Sequence, residues 1–388
     1  MNSHFCHRRA FLARTATIVA GAPLLGSHLR EAVAAEASRA ATGKPGSKTH
    51  TDAKVAIARC PDYGPVVKPA MAQCFDQLGG IGSLVKNKTV TVKINLTGTN
   101  FVPYMDRPVG ETYMTHESTV VALASLLFAA GAKRVRFVES TQSRAPLEGT
   151  LDLAGWNVAA LQALGQVEFE NTRNLGLGKR YSHLRVPTGG YMFSSFEFNH
   201  SYEETDVLVS LAKLKNHITA GVTFSLKNLF GITPNTLYGD KAGSEDATAG
   251  RGPLHNPRTF EHIKLPGLKP GVTQTDPTYR VPHIIADVCA ARPIHLAIID
   301  GITSMSGGEG PWCNQAAELK LPPPGVIITG LNPVSADAVG TVAISPAIRV
   351  LSSRGAGCSI GAVVFTKRPD GEMADTASAS SGSGSAFF

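Results

Sequence analysis

Residues 115–140 read THESTVVALASLLFAAGAKRVRFVES. The first part has the marks of a helix: Thr115 is a candidate N-cap, Glu117 sits in the first turn, and Gly131 lies near the stop. Residues 133–140, KRVRFVES, form the next strand, and the β-branched KTVTVKINL at 88–96 forms the strand before it. Strand, helix and strand in that order make one βαβ unit, which places two parallel strands around a crossover helix.

The alternation continues in both directions. Residues 153–164 read as a helix, 166–171 as a strand and 184–199 as a hairpin turning at Thr188, Gly189 and Gly190. DVLVSL at 206–211 is short and almost wholly apolar, as expected for a strand buried on both faces. A helix at 281–291, strands at 294–302 and 325–332, and a helix starting near Ser335 complete the pattern. The predicted fold class is α/β, a doubly wound and mostly parallel sheet with a β-hairpin addition, in a single domain over 54–342. Residues 233–280 are rich in Gly, Pro, Asp and Thr without periodicity, so they are expected to form a long lid-like loop. From 343 to 388 the alternation fades into the low-complexity ASASSGSGSAFF, an irregular tail that reads either as disordered or as a non-native end.

The composition, 43% hydrophobic and 17% charged, suits a globular protein with a sizeable core. Residues 1–34 hold Arg8, Arg9, Arg14 and Arg30 against Glu31 alone, so they supply much of the formal net charge of +7. The remainder carries a mild positive excess without a Lys/Arg run or a basic helix interleaved with aromatics, which gives no support for nucleic-acid binding. Residues 1–34 resemble a twin-arginine export signal: Arg8-Arg9 precede Phe11-Leu12 and a weakly apolar run, and Ala32-Val33-Ala34 offers a small-x-small cleavage site. The run is too short and too broken by Gly and Pro to span a bilayer stably. Residues 35–53 read as a flexible linker. The expected partners are thus the twin-arginine export machinery and a small anionic molecule, and the expected location is periplasmic or extracellular.

Cys6, Cys60, Cys74, Cys289, Cys313 and Cys358 form no C-x-x-C pair, so no cysteine-ligated iron–sulfur cluster is expected, while a Cys60–Cys74 disulfide stays open. The sequence names no cofactor. His116, His217, His255 and Asp300 are the candidates for a metal site. Neither a phosphate-binding G-x-x-x-x-G-K-[ST] loop nor a G-x-S-x-G elbow is present. Ser210 and Lys213 match S-x-x-K, but so do Ser83 and Lys86, and no K-T-G accompanies them.

Open α/β sheets bind ligands at the carboxyl ends of their strands. Lys93 and Asn95 close one strand, Glu139 another and Asp300 a third, and Lys213, Lys215, Asn216 and His217 follow DVLVSL. Residues 213–232, KLKNHITAGVTFSLKNLFGI, become helical in pattern after His217, with Val222, Leu226, Leu229 and Phe230 as an apolar stripe. Thr219, Thr223 and Lys227 form a second stripe beside it, and the backbone N–H groups near Thr219 are expected to be free for an anion. Lysines suit carboxylate or phosphate as point charges. SGGEGP at 306–311 adds a glycine-rich turn carrying Glu309.

The segments KINL, THES, FVES, KLKNHITAGVTFSLKNLFGI, GGEGP and NPVSADAV resemble the family catalogued as domain of unknown function 362, over about Lys54 to Val342. The resemblance implies a fold and a site, not a reaction. It carries Lys93, Asn95, His116, Glu139, Lys213, Lys215, His217, Lys227, Asn228, Asp300, Glu309 and Asp337 over as motif residues. The leading expectation is an exported protein with a lysine-rich cleft for a small carboxylate or phosphate, working as a metal-assisted enzyme. In it Lys213, His217, Glu139 and Glu309 are catalytic candidates, and Lys93, Asn95, Lys215, Thr219, Thr223, Lys227 and Asn228 bind the ligand. A non-catalytic binding protein for an anionic ligand or cofactor is the alternative, and a serine acyl-transfer enzyme using Ser210 and Lys213 comes third. For export, Arg8→Lys combined with Arg9→Lys is expected to abolish translocation of folded protein; export at the normal level in a fractionation assay would contradict the twin-arginine reading.

Overall fold

The computed structural model describes residues 54–97, 101, 103–187, 189–315 and 318–344, with backbone alone at 366–367 and 373–374. The chain divides into two compact units, 1–51 and 52–388, and all described residues belong to the second. The signal-like segment, residues 35–53 of the linker, Thr188 of the hairpin turn and most of the tail lie outside the described residues.

In chain order the main elements are β1 (Val55–Arg59), α1 (Val67–Gln77), α2 (Gly82–Val85), β2 (Thr89–Lys93), α3 (Glu117–Ala129) and β3 (Arg134–Glu139). Next come α4 (Leu147–Leu153), α5 (Val158–Gln162), β4 (Val167–Asn171), β5 (Ser182–Arg185), β6 (Ser195–Phe198), β7 (Val207–His217) and β8 (Gly221–Val222). The rest are α6 (Phe224–Asn228), α7 (Asn235–Tyr238), α8 (Gly252–His255), α9 (Pro277–Ala291), β9 (Leu296–Met305), β10 (Val326–Gly330) and α10 (Pro333–Ile344). The main sheet runs β1-β10-β9-β7-β2-β3-β4, with β8 paired to the end of β7. The five strands from β9 to β4 are mutually parallel, and β10 lies antiparallel to both β9 and β1. β5 and β6 pair antiparallel as the separate hairpin that the sequence suggested.

Both faces of the sheet are covered, which explains the apolar runs. Side chains alternate along a strand. Val207, Val209 and Leu211 of β7 enter one core with Val120, Leu123 and Leu127 of α3 and Met71 of α1. Leu208 enters the other core with Phe224, Leu229, Ile284 of α9 and Ala336 of α10. β9 divides in the same way, Leu296 and Ile298 to the first core, Ala297 and Ile299 to the second.

Several elements differ from the sequence reading. The stretch 153–164 is not one helix: α4 ends at Leu153, Gly155 takes a left-handed φ of 82°, and α5 begins at Val158. His116 rather than Thr115 caps α3, its Nδ1 accepting from the Ser118 N–H at 3.0 Å. β7 runs on to His217 and β8 folds back on it, so residues 219–227 are not a single helix. α6 is only Phe224–Asn228 and continues as a 3-10 turn over Leu229–Ile232. Residues 233–280 are not a structureless lid. They hold α7, α8 and a 3-10 turn at Pro257–Phe260. Buried Tyr238 and Leu254 anchor them, and Arg280 donates to the carbonyls of Leu254, Gln274 and Pro253.

A buried carboxylate ties the hairpin to the sheet layer. Asp287 of α9 accepts from the N–H groups of Tyr191, Met192 and Phe193 at 2.6, 2.7 and 2.8 Å. Removing it strands three backbone donors, at about 1–3 kcal/mol for each one left buried and unpaired. Asp287→Ala is therefore expected to lower unfolding free energy by at least about 3 kcal/mol in denaturant titration; a loss within error of zero would show that the hairpin is held by its apolar contacts alone.

Candidate functional site

The chain leaves β2 toward β3 and β4 on one side of the sheet and returns through β7 on the other, so strand order reverses between β2 and β7. Such a reversal opens a crevice outside the strands' carboxyl ends. A cavity of about 510 Å³ lies there. Lys93 and Asn95 reach it from the end of β2, Glu139 and Ser140 from β3, and Lys215 and His217 from β7. Thr219, Thr223, Lys227 and Asn228 line it from the turn and α6, Arg251 and His255 from the 233–280 segment, and Glu309 and Trp312 from the loop after β9.

The lysines are not equivalent. An ammonium has three N–H donors and no acceptor. Lys93 spends its donors on Glu139 at 2.6 Å, the Ile94 carbonyl at 2.8 Å and Asn228 Oδ1 at 3.4 Å. Lys215 donates to the Tyr113 carbonyl at 2.6 Å, the Glu309 carbonyl at 2.9 Å and Thr97 Oγ1 at 3.0 Å. Lys227 has no hydrogen-bond acceptor among the described residues, and its Nζ sits 4.5 Å from the centre of the Phe230 ring. Burial and then the neighbouring Arg251 guanidinium bring Lys227 down to about 7, with Glu309 opposing. Lys215 is likewise lowered to about 7 by burial, against the pull of Glu309. Burial also lowers Lys93, and Glu139 opposes it.

Glu139 is fully engaged, its Oε2 accepting from the Leu96 N–H at 2.7 Å and its Oε1 from Ser140 N–H at 2.9 Å as well as from Lys93. Burial works to raise Glu309, but the Ile218 N–H at 3.0 Å and the Cys313 and Trp312 side chains hold its carboxyl below the usual range. Arg251 donates through Nε to Thr233 and through Nη2 to the Gly231 carbonyl and Asn235. Its Nη1 has no hydrogen-bond acceptor among the described residues.

The two histidines of the cavity are held neutral in opposite tautomers. His217 Nδ1 accepts from the N–H groups of Thr219 and Ala220 at 3.1 and 3.2 Å, so its proton sits on Nε2. Burial, then Lys227 and Lys215, push its pKa far down. His255 Nδ1 lies 2.8 Å from the Arg251 carbonyl, which only accepts, so Nδ1 carries the proton and Nε2 is a bare acceptor. Burial and Lys227 lower His255 to about 4.

Lys213, expected beside these groups, lies outside the cavity lining. It is fully buried, donates to the Gly110 carbonyl at 2.8 Å and to the Tyr63 hydroxyl, and faces Asp300 at 3.5 Å. Burial pushes this pair toward its neutral forms, Lys213 down and Asp300 up, each opposed by the other's charge. His116 stacks on Tyr63 at 3.8 Å in the same cluster. The four metal candidates are therefore split, His116 and Asp300 in this cluster and His217 and His255 at the cavity. Among the described residues no group of three or more His, Cys, Asp or Glu is placed to hold a metal ion. The Ser210–Lys213 dyad does not form either: Ser210 Oγ donates to the Ser225 carbonyl at 3.1 Å and accepts from Asn228, because residues three apart on a strand face opposite sides.

Thr219, Thr223 and Lys227 do share the cavity, although through a strand, a turn and a short helix rather than one helical stripe. The Thr219 N–H is not free, since His217 accepts it. Asp337 sits behind the site, accepting from the N–H groups of Ser225 and Leu226 at 2.9 Å each and so fixing the start of α6. Cys60 and Cys74 are separate buried thiols. Ser140, which closes β3 beside Glu139, does line the cavity, whereas sequence reasoning missed Arg251, Gln142 and Trp312. A cation between two glycines, Gly250-Arg251-Gly252, was the available signal for the first.

Among the described residues no helix is long and apolar enough to cross a membrane. The chain is 30% identical over 166 residues to the thylakoid-associated protein sll1697 of Synechocystis sp., a match covering 42% of this chain and 45% of that protein, so this chain spans under half of that relative's length in the match. A crystal structure of a Thermotoga maritima protein superposes with a TM-score of 0.37 at 12% identity, covering 74% of this chain and 60% of that one. The profile of the family described as "Domain of unknown function (DUF362)" matches residues 90–342, and the chain belongs to that family.

Proposed function

We propose that this protein binds a small carboxylate or phosphate in the cavity between β2 and β7. One observation carries the reading: Lys227 is an amine without a hydrogen-bond acceptor among the described residues, held on an aromatic face inside a cavity that Arg251 also lines. A site that already neutralises Lys93 with Glu139 leaves these two cations for a ligand. Lys215 and Glu309 act as supports, each holding the loop after β9 against β7.

A catalytic reading has its own support. His255 presents a neutral imidazole acceptor beside an amine that titrates near neutrality, a pairing suited to moving a proton at a bound ligand. In that reading His255, which the sequence offered as a metal candidate, is the base, and Lys213 lies outside the cavity lining. Export through Arg8-Arg9 belongs to the same proposal and places the activity outside the cytoplasm.

Malate and glycerol 3-phosphate serve as probes in calorimetric titration against chloride at matched ionic strength. At least one is expected to saturate a single site, and Lys227→Met is expected to weaken it about tenfold or more, the scale of a lost charge-assisted hydrogen bond. The anion favours protonated Lys227, whose pKa is lowered to about 7. Affinity for malate is therefore expected to fall as pH rises through 7, with proton uptake on binding above it, and both effects shrink in Lys227→Met to whatever Lys215, also lowered to about 7, contributes. Absence of binding by both probes, or equal affinity in the variant, would contradict the reading.

A further inference from the structure

Lys227 differs from the other lysines at the strand ends in access as well as in partners. Lys93, Lys213 and Lys215 are at most 1% exposed, whereas Lys227 keeps part of its surface open and lines the cavity. Its Nζ stands 4.5 Å from the centre of the Phe230 ring, and no hydrogen-bond acceptor among the described residues draws it away. The same ring meets the His255 imidazole at 5.1 Å in a T-shaped contact, so one aromatic side chain positions both the amine and the imidazole.

Two neutral imidazoles of opposite polarity line the same cavity. His217 has committed Nδ1 to the N–H groups of Thr219 and Ala220, which leaves its Nε2–H as a donor. His255 has committed its Nδ1–H to the Arg251 carbonyl, which leaves Nε2 as an acceptor. Both side chains keep part of their surface open, as Lys227 does. Arg251 adds a second cation, and its charge acts on Lys227 in the same direction as burial. Lowered to about 7, the Lys227 amine is about half neutral at that pH, where an ordinary lysine is neutral in only about one part in 2,500. A reachable amine without an acceptor, set beside another cation, is the arrangement that attacks carbonyl groups. The imidazoles supply what the attack needs around it, a donor for the carbonyl oxygen and an acceptor for the amine proton.

Resting on the anion reading, we propose that the bound anion is a small 2-oxo acid and that Lys227 condenses with its carbonyl to form a Schiff base. Arg251 receives the carboxylate and Lys227 the adjacent carbonyl. The neutral Nζ gives its lone pair to the carbonyl carbon, forming the N–C bond, while the C=O π pair moves to the oxygen, which accepts from His217 Nε2–H. One proton leaves the nitrogen for His255 Nε2 and passes on to that oxygen, giving the carbinolamine. The hydroxyl then departs as water with a proton from solvent, and the nitrogen lone pair closes the C=N bond of the iminium ion. Counted from the amine the sequence takes up one proton; counted from the ammonium it takes up none.

The test is reductive trapping. The folded protein is incubated at neutral pH with pyruvate or 2-oxoglutarate and cyanoborohydride, which reduces an iminium to a stable secondary amine, and the adduct is located by peptide mass spectrometry. With at least one acid, Lys227 is expected to be labelled at least about tenfold faster than the exposed Lys133 and Lys241. Lys93, Lys213 and Lys215 are expected to stay free of label. Whichever of malate and glycerol 3-phosphate binds in titration is expected to suppress the Lys227 adduct. Lys227→Met should lose the preferential label; the map of the wild-type chain decides the question even where that variant does not fold. No preference for Lys227 with either acid, while malate or glycerol 3-phosphate binds, overturns this inference and leaves the anion reading standing. A Lys227 adduct that the bound anion does not suppress also overturns it. Where neither anion binds, both readings fall.

Discussion

The site depends on a buried ion pair. Lys93 and Glu139 meet at 2.6 Å with 1% and 3% of their side chains exposed, joining the ends of two parallel neighbours, β2 and β3. Neither charge tolerates such burial alone, and removing one partner of a buried pair costs about 3–5 kcal/mol. The pair also dictates what surrounds it. Glu139 takes up the N–H groups of Leu96 and Ser140, which shapes both loops leaving the strands. Gly231 passes so close that an added Cβ would lie 3.1 Å from Lys93 Nζ, so a side chain there would press the ammonium by a few tenths of an ångström out of its place beside Glu139.

Two further lysines tie other elements in the same way. Lys215 joins β7 to Tyr113 on one side and to the Glu309 carbonyl on the other. Lys213 joins β7 to Gly110 and to the Tyr63–Asp300 cluster. Three cations are thus consumed as internal ties, and their remaining positive field reaches the cavity where Lys227 stands without an acceptor among the described residues. Burial first, and then crowding of this kind, explains why Lys227 is driven toward neutrality and why both cavity histidines stay uncharged. An anion entering there relieves repulsion that the fold has built in.

Much of this was legible in the sequence because burial on two faces leaves long apolar runs, and the rim residues follow them directly. DVLVSL predicted a buried strand, and the polar groups after it do gather at the strand ends. What the sequence hid was depth along the strand. Lys213 and Lys215 both reach back to the segment that holds Gly110 and Tyr113, but only Lys215, farther along β7, lines the cavity, and a helical pattern in 219–227 arose from a turn, a two-residue strand and one helical turn laid end to end. Arg251 was hidden for another reason: its place is set by contacts with Thr233, Gly231 and Asn235 inside a segment without periodicity. Buried lysines that act as ties and a lysine that faces a cavity look alike in one dimension, since only the count of acceptors around each Nζ separates them.

That distinction is open to direct measurement. Acetylation of the folded protein near neutral pH, read lysine by lysine by mass spectrometry with and without malate, compares the four side chains in one experiment. The account predicts that Lys227 reacts through the cavity and is protected by malate, while Lys93, Lys213 and Lys215 stay unmodified in both states. Modification of Lys93 or Lys215 as fast as Lys227, or a Lys227 that reacts equally with and without malate, would contradict it.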